Sequence, residues 1–195
     1  MDKRSFLAFG LLGVLTAACT TNSSSGGDPA ARRSSIDAAV DSALSRLHAQ
    51  VQGSRELTDK AKGVLVFPSV ISAGLGVGGS YGQGALRVGG RTAGYYSTTA
   101  ASVGLLGGAD SKAVFVLFMT QDSLDKFVAS RGWTAGADAS VTMAKVGANA
   151  SIDTQTAQQP IIGFALSNAG LMANLSLDGT KINKIDLQTP TRRIE

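Results

Sequence analysis

Reactive side chains are scarce in this sequence of 195 residues, which holds one cysteine, Cys19, and one histidine, His48. A lone cysteine excludes an internal disulfide. A lone histidine on a helical stretch cannot easily be built into a Ser-His-Asp triad or a histidine metal cluster. Six aspartates, Asp110, Asp122, Asp125, Asp138, Asp153 and Asp178, are the remaining acid-base candidates. Their spacing singles out no pair, and Asp110 and Asp178 read as turn residues. The expectation is a chain that is not an enzyme and that holds no metal and no cofactor. Charge is equally modest. The net charge is +4, no five like charges run together, and removing Asp2, Lys3 and Arg4 leaves +3. That is far below a nucleic-acid footprint, although it is compatible with an anionic lipid surface.

Long apolar runs are also missing. The best one, residues 6–15, is half of the roughly 20 residues that a membrane-spanning helix needs. It follows Lys3 and Arg4 and precedes Ala17, Ala18 and Cys19, which is the layout of a secretory signal peptide. The stretch LTAAC resembles the lipobox of bacterial lipoproteins, with Thr16 where that motif usually has leucine. The resemblance implies a signal over residues 1–18 and a Cys19 that carries acyl chains such as palmitate. With Thr20 following, it implies anchoring in the outer membrane, facing either the periplasm or the surface. Each buried methylene contributes about 0.8 kcal/mol, so more than one chain holds firmly. Residues 19–33 are Ser/Gly-rich at their start and read as a tether. The remainder is enough for one domain, expected over 34–188, with a tail over 189–195.

The clearest helix covers residues 34–53. Ile36, Val40, Leu44, Leu47 and Val51 line one stripe, Ser34 is placed to cap it and Gly53 to end it. Such a stripe more often packs on its own domain than on a bilayer. A second short helix over 55–63 leads into β structure. VLVFP (64–68) reads as a buried strand closed by proline, and GALRV, GGR and the residues from Thr92 to Leu106 as strand, turn, strand. KAVFVLFMT (112–120) is apolar on both faces and so a central strand. A short helix over 123–130 has Leu124, Phe127 and Val128 on one side. Further strands follow, with Asp178-Gly179 as a hairpin turn. One helix before a run of strands implies an α+β fold, predominantly antiparallel β, built as a twisted sandwich or a barrel-like sheet.

AGLGVGGSYGQG (73–84) contains a G-x-G-x-x-G spacing at Gly74, Gly76 and Gly79. A dinucleotide fingerprint needs a helix to follow and an acidic residue about 20 positions on. More glycines follow instead, and Thr98 and Thr99 stand near the acidic position. The nucleotide reading fails. Alternation puts Gly74, Gly76, Gly78, Gly82 and Gly84 on one strand face, and a face without side chains permits a bend or the close approach of another backbone.

These residues, with GYYS, GLLGGADSKAVFVLFMT and GLMANLSLDGTKINKI, resemble the SYLF (Ysc84-type) domain family over about residues 38–185. The resemblance implies a lipid-binding module. Eukaryotic members bind phosphoinositides and, in the yeast type, actin, a partner that an exported lipoprotein does not ordinarily meet. It also implies head-group contacts at Lys60 and Lys62, just before the sheet. Arg87 and Arg91 are added because they flank a tight turn, where two guanidiniums can reach one anion. Lys181 and Lys184 are weaker candidates. Tyr81, Tyr95, Tyr96 and Trp133 are candidates for an interfacial rim or, more simply, for core filling. The leading expectation is a membrane-anchored lipoprotein that binds phosphoinositide-like or other anionic phospholipid. The alternative is an interaction module for an envelope or host protein, and an uncharacterised hydrolase comes third.

Overall fold

A computed structural model of the chain describes residues 28–144, 152, 154–168, 170–172 and 175–187. The segment expected as a signal, Cys19, most of the expected tether, Asp153 and the expected tail lie outside the described residues. Two helices come first, α1 (Pro29–Gln50) and α2 (Ser54–Lys60). α1 begins inside the segment expected as a tether. Asp28, not Ser34, is its cap, accepting from the Ala30 amide at 3.0 Å, and Pro29 sits where a missing N–H costs nothing. Val51 ends α1, and Gly53, with φ +82°, begins α2 instead of closing α1.

Two very long strands follow, β1 (Gly63–Val88) and β2 (Arg91–Phe118), joined by Gly89 and Gly90. Both turn glycines have positive φ, 56° and 78°, as a two-residue hairpin with the strands' own twist requires. β1 is not closed by Pro68. The proline lies in an irregularity between Phe67 and Val70, a place where an edge strand tolerates a residue without an N–H. Nor is β2 broken between residues 106 and 112. Gly74 pairs with Gly108 and Gly76 with Gly104, so glycines on both strands meet at one level of the ribbon.

There the ribbon folds back on itself. A Cβ on Gly74 would stand 2.3 Å from the Gly78 Cα, which marks the bend. Beyond it, a Cβ on Gly84 would lie 1.9 Å from the Val66 oxygen, and one on Gly82 would lie 2.9 Å from the Ser69 oxygen. The second half of β1 therefore rests on the backbone of its first half. This is the close approach that the bare face implied.

The remaining elements widen the sheet. They are α3 (Gln121–Ala129), β3 (Trp133–Thr134), β4 (Thr142–Met143), α4 (Thr154–Ala157), β5 (Ile161–Ser167), β6 (Gly170–Leu171) and β7 (Lys181–Ile185). The strand order is β3-β7-β2-β5-β4, with β1 on β2 and β6 on β5, and among these described strands only the β4–β5 pair is parallel. β7 pairs with the first half of β2 and β5 with the second, so the curled sheet is a half-barrel. The fold is α+β and mostly antiparallel, as the pattern of elements implied. Asp178-Gly179 makes a turn, closed from the Thr180 amide to the Leu177 oxygen, but residues 175–177 before it are not a strand.

Two apolar layers hold the sheet. On one face, Ile36, Val40, Leu47 and Val51 pack with Val64, Val66, Phe115, Leu117 and Phe164. The α1 stripe is thus spent on its own domain. On the concave face, Leu65, Phe67, Leu86, Val116 and Phe118 meet Leu124 and Phe127 of α3 together with Tyr96, Trp133 and Ile182. Val128, grouped with Leu124 and Phe127 by spacing, is 48% exposed. Residues 113–118 are all buried, in keeping with a central strand. Gly84→Ala should lower stability by at least about 3 kcal/mol, because backbone has to move. Gly79→Ala should change it by less than about 1 kcal/mol, since its Cβ meets only the Ala100 oxygen at 3.7 Å. Denaturant unfolding of the two variants checks this.

Candidate functional site

The fold-back returns the end of β1 to its beginning. A Cβ on Gly63 would lie 3.3 Å from Leu86 Cδ1, so Lys62, just before Gly63, and Arg91, just after the turn, sit at the same end of the ribbon. Lys60 closes α2 there. Lys60, Lys62 and Arg91 are exposed, and the Lys62 amide anchors the connection by donating to the Phe118 oxygen at 2.8 Å.

Arg87 does not join them. Its side chain is 15% exposed and reaches across to α1, where it donates to Asp41 Oδ1 at 2.7 Å and to the Asp37 carbonyl at 3.3 Å, with Asp37 Oδ1 at 3.4 Å. It also donates to the Thr92 hydroxyl. Asp37 in turn accepts from Thr92 Oγ1 at 2.7 Å and from Tyr95 Oη at 2.8 Å. Burial, and then the Asp37 hydrogen bond, raise the Tyr95 pKa. Arg87 thus locks the hairpin tip onto α1, and the expected pairing of Arg87 with Arg91 around one anion is corrected. Asp37 and Asp41, one helical turn apart, were the missed half of this cluster. Their spacing was visible, but their cation lies in a strand far along the chain.

Lys181 and Lys184 are exposed on β7. Lys184, with Arg33, Thr92, Tyr95, Asp186 and Leu187, borders an open groove of about 540 Å³, and Arg33 donates to the Leu187 carbonyl across it. Tyr96 and Trp133 are core residues in an aromatic cluster, with ring centroids of Tyr96 and Phe127 5.0 Å apart and of Phe127 and Trp133 5.7 Å apart. Of the four proposed rim aromatics only Tyr81 is well exposed, at 51%. His48 Nε2 lies 2.9 Å from Thr58 Oγ1, joining α1 to α2. Among the described residues no three His, Cys, Asp or Glu side chains group to hold a metal, and no helix is long and apolar enough to cross a membrane. Asp110, expected in a turn, lies within β2 at the edge of a concave cavity.

Residues 99–187 match the family model described as Ysc84, Las17-binding protein actin regulator. The match assigns residues 99–187 to a Ysc84-type domain. That segment takes in the second part of β2 and everything after it to Leu187, while α1, α2 and β1 precede it. The Ysc84 domain is a lipid- or actin-binding module in general terms. No curated protein matches the chain.

Two measurements test the latch and its neighbour. Asp37→Ala and Arg87→Met should each cost about 2 kcal/mol, and the double variant should cost clearly less than both together, because one cluster is lost in each case. Burial, and then the nearby Arg55 charge, lower the His48 pKa from its ordinary 6.5. The unfolded chain therefore takes up the proton first as pH falls. The His48 contribution should be complete above about pH 6.5 and lost progressively below it. His48→Gln should flatten the stability slope between about pH 7 and pH 5.

Proposed function

We propose that the Ysc84-type domain is a non-catalytic binding module that meets anionic phospholipid, phosphoinositide-like lipids included, through Lys60, Lys62 and Arg91. In this reading Cys19 is acylated and tethers the chain to the outer membrane. The observation that carries the proposal is the return of both ends of β1 to one side, which gathers three exposed cations beside each other's elements. With the apolar stripe of α1 buried, adhesion rests on charge and not on helix insertion. Each cation near an anionic surface contributes about 1 kcal/mol.

A second reading is a partner-protein module, with the actin-regulator description of the family as its precedent. Ile71, Val77 and Tyr81, which are 57%, 72% and 51% exposed on β1 around its bend, favour it. Flotation of residues 28–187, which contain both cores, with vesicles of graded phosphatidylserine content separates the two. Binding should rise with anionic lipid and fall with salt. Changing Lys60, Lys62 and Arg91 together to Gln should weaken it about a hundredfold. Flotation unchanged in the triple variant would end the cation assignment. Salt-insensitive cosedimentation with actin filaments, lost in Val77→Asp, would favour the partner reading.

A further inference from the structure

The concave side of the folded ribbon encloses a cavity of about 450 Å³, within the ~300–1,000 Å³ range of small-molecule sites. Strand register grades its wall from apolar to polar. Along one face of β2 come Val116, Val114, Lys112 and then Asp110. Across the ribbon, Val70 pairs with Lys112 and Ser72 with Asp110. Trp133 and Ile182 line the apolar part, and Ser80 lies at the polar part near the bend. Lys112 is half-buried, with Nζ 3.5 Å from Ser72 Oγ. Asp110 is exposed beyond it, toward solvent. An amine whose stem lies along an apolar wall and whose charge stands at the margin is built to meet an anion that has an apolar body attached.

We propose that this cavity binds one amphiphile with a single aliphatic chain and an anionic head, the chain lying against Val114, Trp133 and Ile182 and the head at Lys112. The head-group part of the site, at Lys112 and Asp110, lies toward the bend, away from the end of the ribbon that holds Lys62 and Arg91. It does not depend on the membrane-surface reading.

Trp133 is the single tryptophan of the chain and lies on the cavity wall, so it reports occupancy directly. The purified full chain is titrated with dodecanoate brominated at the chain end, below its micelle concentration, while Trp133 emission is followed. Saturable quenching at one molecule per chain is expected. Ala100→Phe, which fills the cavity from its wall, should raise the half-saturation concentration at least about tenfold with thermal unfolding retained. Lys112→Met keeps the stem and removes the charge. It should weaken the carboxylate and the matching alkyl phosphate about tenfold, and shift the uncharged glycerol ester by less than about twofold. Asp110→Asn should tighten both anions, and the tighter of the two names the head group. Quenching that does not saturate would overturn the proposal, as would quenching unchanged in a folded Ala100→Phe. Equal weakening of charged and uncharged amphiphiles by Lys112→Met would remove the head-group assignment. Lys112 lies on the rim, so its variant remains decisive if Ala100→Phe does not fold.

Discussion

Backbone resting on backbone along β1 is the contact from which the rest of the domain is built. Gly82 and Gly84 offer no side chain where the strand's own Val66 and Ser69 carbonyls arrive. A side chain at either position would have to push that backbone away. Glycine in a strand costs conformational entropy and packing. The fold-back offsets that cost by turning Leu65, Phe67, Leu86 and Tyr96 toward one buried interior. It also sets the positions of everything considered for function. Both ends of β1 come to one side, and the polar part of the cavity lies at the other.

The first helix stabilises this arrangement twice. Its apolar stripe covers the convex layer, and its carboxylates hold the tip of the ribbon through Arg87, Thr92 and Tyr95. The ion pair is partly shielded, Arg87 more than Asp41, so its worth comes largely from the hydrogen bonds that share it. A helix whose apolar stripe is already buried has little left to insert into a bilayer. In the proposed reading, contact with an anionic surface therefore falls to cations on the neighbouring connections.

Periodicity made the local elements legible. The stripe from Ile36 to Val51, the glycine pair before Arg91 and the apolar run over 113–118 each obey a short-range rule, and each is where that rule puts it. The demand for bare backbone near Gly84 was legible too, but not what would approach it, because the partner is the same strand after a reversal. Pro68 and the glycines near residue 108 looked like breaks. In the fold they are irregularities within continuous strands, since paired glycines let both strands bend together. Arg87 looked like a free guanidinium because its partners precede it by 46 to 50 residues. Lys112 looked like the polar start of an apolar strand. Only the register across the ribbon turns it toward a cavity.

A strand of 26 residues that, among the described residues, pairs on one side only would ordinarily be a template for a strand from another chain. β1 withdraws part of that template. The outward carbonyls of Val66 and Ser69 face the glycines of its own second half. The same bare stretch that lets the sheet curl therefore shields this part of the edge from intermolecular pairing, so protection against fibre-like association is a by-product of the curvature.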